Sequence, residues 1–146
     1  MSVARWLEYK IDVDPKKPGR RQEVFDLKAI EKALGAPITH VYSNQIQPGA
    51  TAGMHYHKVH QVAVWMREGE LELTLEDVRT HKREVVVLRP GNKMLLVPTE
   101  TYHAAANKTD KPALPSCSPR ASHATPPMTG TRKRGQATFS HVIRNQ

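Results

Sequence analysis

The sequence has a single cysteine, Cys117, so no intramolecular disulfide can form. It also lacks any run of eighteen apolar residues, which argues against a membrane-spanning helix. The first residues have no apolar core of the kind that marks a secretory signal. Together these absences predict a cytoplasmic protein. Its 146 residues are most simply one domain with a hydrophobic core.

Acidic residues are missing from the last part of the chain. The net charge is +8, but residues 115–146 contain five Lys or Arg and no Asp or Glu. Residues 1–114 therefore carry only +3, since all 14 acids lie there with 17 of the 22 basic residues. The basic tract at residues 131–134 has no interleaved aromatic residues. We therefore expect neither nucleic acid nor a membrane as a partner.

Residues 1–37 predict an N-terminal arm followed by a short helix. Asp26 is a candidate N-cap and Gly35 a candidate C-cap. Three apolar residues between the caps lie at helical spacing, namely Leu27, Ile30 and Leu34. Because such a stripe usually faces a core, we expect the helix to pack against the rest of the domain.

Residues 38–113 have the pattern of short strands separated by regular turns. Residues 70–76 alternate strictly between leucine and polar side chains, so the leucines should face a core. Seven segments have strand character, namely residues 38–47, 53–57, 61–67, 70–76, 84–88, 93–97 and 102–107. This spacing predicts an all-β sandwich or barrel.

Residues 114–146 predict no further strand. Prolines interrupt the start of this segment, and Ser, Thr, Ala and basic residues fill the gaps without periodicity. We expect a basic tail that is either disordered or read out of its ancestral frame. On this interpretation the barrel ends at residue 113 and lacks its final strand.

Histidines concentrate in the stretch from His55 to Gln61. Alternate side chains of an extended segment point to one side, so His55 and His57 can share a ligand. If the extension continues, Gln61 falls on that side as well, and His60 points away. A second polar cluster follows at Gly91, Pro98, His103 and Asn107. Its spacing suggests that His103 returns to the first pair.

The two clusters resemble the two signature motifs of the cupin superfamily over about residues 38–110. Gly49 stands six residues before His55, and Gly69 closes the first motif. The second cluster matches the second motif with one extra residue before the proline. Two positions depart from the family pattern: Gln61 or Val62 fills the slot of the usual carboxylate, and Glu100 that of a glycine. The resemblance implies a cupin-type β-barrel, a double-stranded β-helix or jelly roll, with a short N-terminal helix.

The same resemblance implies a divalent transition metal on His55, His57 and His103, with Gln61 as a candidate fourth ligand. Zinc, iron, manganese, nickel or copper would suit this donor set. A small polar molecule, sugar-like or carboxylated, would then bind in the barrel mouth. A metal-dependent isomerase or oxygenase is the expected kind of enzyme. Because cupin barrels commonly pair, we also expect a homodimer.

A second resemblance covers the same residues. The order of landmarks at residues 20–25, 44–53 and 73–79 is similar to that in cupins that epimerise or isomerise nucleotide-linked deoxy-sugars. Catalysis in that group needs no metal, and a histidine at the position of His55 removes a proton next to a ketone.

Other residues near the two motifs are candidates for supporting roles. Lys58 could stabilise an enolate. Glu100 is a candidate acid or base at the barrel mouth, and Tyr102 a candidate substrate contact. A third alternative is a non-catalytic, ligand-binding or regulatory cupin, so the sequence leaves open whether the protein is an enzyme.

Overall fold

The computed structural model describes residues 2–119, which form one short helix and eleven strands. In chain order these are β1 (Arg5–Glu8), β2 (Lys10–Asp12), β3 (Gln22–Val24), α1 (Leu27–Leu34), β4 (Tyr42–Ser43), β5 (Thr51–His55), β6 (Val62–Glu68), β7 (Leu71–Asp77), β8 (Arg83–Leu88), β9 (Lys93–Val97), β10 (Thr101–Ala106) and β11 (Leu114–Pro119). The predicted all-β class with one short helix is confirmed. In this part of the chain no helix has the length and hydropathy needed to span a membrane.

Two antiparallel sheets pack face to face. The larger has the strand order β1-β9-β6-β11-β4, and the smaller has the order β5-β10-β7-β8. Side chains from both sheets form the main core between them. The leucines of β7 show why: Leu71, Leu73 and Leu75 alternate with polar residues and are all buried. This arrangement is the jelly roll that the sequence predicts.

The outer face of the larger sheet is also covered, because α1 packs on it. The carboxylate of Asp26 accepts a hydrogen bond from the N–H of Ala29 at 3.2 Å, and Gly35 ends the helix in the left-handed conformation. Ile30 and Leu34 pack against Trp65 of β6. Val62 to Met66 are therefore buried on both faces of the sheet. The predicted caps are confirmed, but Leu27 is exposed rather than packed.

The N-terminal arm contributes more to the fold than its sequence predicts. Residues 5–8 form β1, which pairs with β9 at the edge of the larger sheet. The carboxylate of Glu84 accepts hydrogen bonds from the N–H groups of Val3 and Ala4 and ties the start of the chain to β8. The first residues are therefore part of the sandwich and not a free arm.

The expectation that the last strand is missing is wrong for residues 114–119. These residues form β11 between β6 and β4. Pro115 is accommodated because the pairing with β6 shifts register at this position, and only Ser116 and Cys117 pair with β4. The remainder of the predicted tail, residues 120–146, lies outside the described residues.

Candidate functional site

A cavity of about 120 Å³ lies between the two sheets. The wall on the side of the smaller sheet carries His55, His57 and His103, and the opposite wall carries Tyr42 and Cys117. Valine and leucine side chains line the space between these polar groups. The volume is somewhat below the roughly 150 Å³ of a buried cavity that holds benzene, so the cavity can take at most a single small ring.

The three histidines form one cluster. Ring centroids lie 4.8 Å apart for His55 and His57, 4.6 Å for His55 and His103, and 5.2 Å for His57 and His103. One nitrogen from each ring lies within 4.8 Å of the others, and no carboxylate of the described residues joins them. The prediction that His103 returns to the first pair is confirmed.

A β-bulge in β5 turns His55 into the cavity. His103 pairs with His55 and Ala104 pairs with Gly53, so Met54 is the extra residue. Ala50 and Ala52 pack against the core, and regular alternation would place Met54 on the same side. The bulge, with positive φ at Gly53 and Met54, moves the inward position to His55 instead.

Gly53 is a site residue that the sequence reasoning missed. A Cβ atom at this position would lie 2.9 Å from the backbone oxygen of His103. Only glycine allows β5 and β10 to approach so closely while φ is 84°. The available signal was a glycine inside a strand, two residues before the first histidine.

Backbone carbonyls orient two of the imidazoles. Nδ1 of His55 lies 3.2 Å from the oxygen of Gly53, and Nδ1 of His103 lies 3.3 Å from the oxygen of Thr101. Because a carbonyl can only accept, each Nδ1 carries the proton in the neutral ring, and each Nε2 keeps its lone pair.

Burial keeps these rings neutral. Burial, followed by the neighbouring His55 and His57, lowers the pKa of His103 to about 4, partly opposed by its hydrogen bond to Thr101. Burial also lowers the pKa of His55, partly opposed by its bond to Gly53. Both rings are therefore bases or ligands at neutral pH, not cations.

The loop between β5 and β6 bends at Lys58 and Val59, so strand alternation does not continue to Gln61. The ring of His60 lies 5.7 Å from that of His57, but His60 does not line the cavity. The Oε1 atom of Gln61 is buried and has no hydrogen-bond partner among the described residues, yet Gln61 does not line the cavity. Lys58 is exposed and does not line it either.

Two further candidates also lie outside the cavity lining. Tyr102 pairs across strands with Glu76, and burial followed by the charge of Glu76 raises the pKa of its hydroxyl. Because neighbouring residues of a strand point to opposite faces, Tyr102 and His103 diverge. Glu100 is paired with Arg79 in an ion pair, and its N–H donates to the backbone oxygen of His57 at 2.7 Å.

Asn107 of the second motif has a structural role. Its side chain is buried and donates to the carbonyls of Ile46 at 2.9 Å and Lys111 at 2.8 Å. The oxygen of the same amide accepts from the N–H and hydroxyl of Thr109. These bonds fix the turn that leads from β10 into β11.

Tyr42 is a second cavity residue that the sequence reasoning missed. It stands opposite Cys117 on the neighbouring strand, and both line the cavity. Burial, followed by the thiol of Cys117 beside it, raises the pKa of Tyr42 to about 12. The hydroxyl therefore stays protonated and can donate a hydrogen bond.

The antiparallel jelly roll with histidines in its cavity belongs to a class of small β-barrels, many of which bind a ligand between their two sheets. Comparison with known families names that class. Residues 44–114 match the family model of the cupin domain. These residues thus form a cupin domain, as the two motifs predict. No curated protein matches the sequence at a significant level.

Solved structures give the same fold over most of the chain. A 3,4-ketoisomerase from Helicobacter canadensis is 17% identical, with a TM-score of 0.67 over 83% of this chain and 85% of its own. A sugar 3,4-ketoisomerase from Thermoanaerobacterium thermosaccharolyticum, in complex with TDP, is 12% identical, with a TM-score of 0.67 over 84% and 83%.

The dTDP-6-deoxy-D-glucose-3,5-epimerase from Legionella pneumophila, in complex with dTDP-4-keto-L-rhamnose, is 18% identical, with a TM-score of 0.68 over 85% of this chain and 70% of its own. At these identities the likeness establishes the fold alone. The chain is therefore similar in fold to isomerases and epimerases of nucleotide sugars.

Proposed function

We propose that the cavity binds a sugar-like molecule with a carbonyl group and that His55 moves a proton at the carbon next to it. The observation that carries the proposal is the orientation of this imidazole. Its Nδ1–H donates to the oxygen of Gly53, so the Nε2 lone pair is left to accept a proton. The activity would be that of a sugar isomerase or epimerase.

The proton balance of such a reaction is simple. His55 takes the proton from the carbon beside the ketone, and the electrons of that C–H bond form a C=C bond while the carbonyl oxygen becomes an enolate. His55 then returns this proton to the former carbonyl carbon. The hydroxyl on the neighbouring carbon gives its proton to the enolate oxygen, so the ketone moves by one position. Donation of a proton to the original carbon by a second group on the opposite face, while His55 keeps the proton that it took, inverts that centre instead.

The enolate oxygen needs a hydrogen-bond donor in the cavity. Lys58, the candidate from the sequence, is exposed and lies outside the lining. Tyr42 lines the cavity from the opposite sheet, and its hydroxyl, which hydrogen-bonds Cys117, is protonated at neutral pH and can donate to a ligand oxygen instead. We therefore propose Tyr42 as the donor in place of Lys58.

The comparisons support a keto-sugar as the ligand. Several of the similar structures are described as ketoisomerases or epimerases of TDP-linked sugars, and one histidine-to-asparagine mutant was solved with TDP-4-keto-6-deoxyglucose. A cavity of about 120 Å³ can take a sugar ring, and a nucleotide would have to lie outside it.

A second candidate function uses a divalent metal. Nitrogen atoms of His55, His57 and His103 lie within 4.8 Å of one another, which favours a shared metal ion. Backbone carbonyls also accept hydrogen bonds from Nδ1 of His55 and of His103, and metal-bound histidines commonly have such partners. The donor set therefore fits a transition metal, although the usual carboxylate is missing. A bound ion would polarise a substrate oxygen.

Exchange of substrate hydrogen with deuterated water would test the proposal. TDP-4-keto-6-deoxyglucose would be incubated in D₂O with the wild type and with His55→Asn, and deuterium at the carbon next to the ketone followed by NMR. We expect exchange by the wild type, with and without EDTA, and none by the variant.

The same samples separate the alternatives. Exchange that stops in EDTA and returns with one metal per chain would favour the metal site. Tight binding of the sugar without exchange would favour a non-catalytic, ligand-binding cupin. We also propose, on the resemblance alone, that the protein is a homodimer, which light scattering would measure.

A further inference from the structure

Of the three cavity histidines, only His57 lies outside a strand, because β5 ends at His55. Its backbone position therefore depends on contacts with other parts of the fold. The carbonyl of His57 accepts a hydrogen bond from the N–H of Glu100 at 2.7 Å. The loop before β10 thus supports His57 directly.

Glu100 has an unusual backbone for its residue type. Its φ is 55°, in the left-handed region that favours glycine. Its N–H is bonded to His57, and its carbonyl accepts the N–H of Val78 at 3.0 Å. Glu100 therefore connects His57 with the turn between β7 and β8.

That turn is itself well organised. The carboxylate of Asp77 accepts the N–H groups of Arg79 at 2.9 Å and Thr80 at 2.8 Å. The turn presents the guanidinium of Arg79 to the carboxylate of Glu100, and the two form an ion pair. A continuous set of contacts thus runs from Asp77 through Arg79 and Glu100 to the carbonyl of His57.

We infer that the Arg79–Glu100 ion pair holds Glu100 in its left-handed conformation and thereby positions His57 in the cavity. Glu100 is then a positioning residue and not an acid or base. Its carboxylate faces Arg79, and Glu100 is absent from the cavity lining. Residues with strained backbones are common where a fold must hold a functional group in place. The inference rests on the proposed function only where its test measures activity, since the position of His57 can be measured without a substrate.

A double-mutant cycle would test the inference. Arg79→Met and Glu100→Gly each remove one partner, and glycine also suits the left-handed backbone. Imidazole nitrogen shifts, measured by NMR, report the position of His57 without any substrate. Deuterium exchange into TDP-4-keto-6-deoxyglucose reports activity, and thermal unfolding reports stability. The control is Arg89→Met, which breaks the ion pair between Arg89 and Glu70. Their Nε and Oε2 atoms lie 2.6 Å apart, and the pair is about as exposed as the Arg79–Glu100 pair.

We expect Arg79→Met to shift the His57 signals and to lower exchange severalfold, because the His57 ring lies 4.8 Å from the base His55 and an exposed ion pair is weak. Glu100→Gly should leave both close to the wild type, because glycine adopts the left-handed backbone without the ion pair. The double variant should lose no more than either single one, because the two residues act as a unit. Glu100→Gly should unfold at the same temperature as the wild type or higher. The shape of the pH profile should stay unchanged, and the control should behave as the wild type.

Two results would overturn the inference. Losses that multiply in the double variant would show that the residues act separately. Loss of one limb of the pH profile in Glu100→Gly would make Glu100 an acid or base. A wild type without any exchange would overturn the proposed function, and the NMR cycle would still decide whether the ion pair positions His57.

Discussion

β5 and β7 flank the same strand, β10, yet they serve different purposes. β7 pairs with β10 in unbroken register, and its leucines are 0–3% exposed. β5 pairs with β10 through a bulge and presents a partly exposed histidine. The regular alternation of side chains in β7 places leucines in the core, and the bulge in β5 places a histidine in the cavity. Changes in β5 should therefore affect activity first, and changes in β7 should affect stability first.

The largest effect should come from the site strand. His55→Asn removes the proposed base, and we expect exchange of the substrate proton to fall by about 10²–10⁴-fold, the usual contribution of a general base. The melting temperature should change little, because the ring is partly exposed and makes one hydrogen bond within the described residues. A variant that unfolds as easily as a core variant would show that β5 belongs to the core after all.

The core strand should give the next largest effect, on stability. Leu75 is fully buried, and Leu75→Ala should cost about 2–5 kcal/mol of unfolding free energy. Val85→Ala on the neighbouring β8 is the control, since Val85 is 52% exposed and should cost far less. Urea unfolding would measure both. Exchange well below the midpoint should be unchanged, because Leu75 does not line the cavity as Leu71 and Leu73 do. A loss there would mean that Leu75 shapes the site as well.

The difference between the two strands also explains which features were predictable. The leucines of β7 could be identified as core because alternation survives in the structure. The histidine cluster could be identified because its residues recur at the spacing of a known motif. Neither the bulge at Gly53 nor the bend at Lys58 follows from alternation, so the extension that would place Gln61 beside the histidines does not continue.

The strand at residues 114–119 was missed for a related reason. Prolines argue against a strand when the partner is unknown, and here the partners tolerate them. Pro115 lies at a register shift against Met66 of β6, and the pairing with β4 is confined to Ser116 and Cys117. A sequence shows that a proline lacks an N–H, but not whether the neighbouring strand needs one.

The bulge itself can be tested by filling the space at Gly53. Gly53→Ala places a Cβ atom 2.9 Å from the oxygen of His103 at a residue whose φ is 84°. We expect a loss of about 1–3 kcal/mol in stability and at least a tenfold loss of exchange, because the two histidines are displaced together. Gly49→Ala is the control, since φ there is 76° but no atom lies within 4 Å of the added Cβ. Equal losses at both glycines would mean that φ alone matters and that the close approach to His103 does not.

The last prediction concerns pH, and it changes the solution before any residue. The pKa of His103 is lowered from the ordinary 6.5 to about 4 by burial and by the neighbouring histidines, and that of His55 is lowered as well. In this range the unfolded chain binds more protons than the folded chain, so stability falls as pH decreases from about 6.5 toward 4. Urea unfolding of the metal-free protein at several pH values should show this loss, and it should be smaller in His103→Phe. A profile that stays flat from pH 7 to 4 would mean that the cavity admits the proton and its hydration without unfolding. In that case the histidines that line the cavity would be more open to water than the buried leucines of β7. β5 and β7 would then differ in solvent access as well as in register.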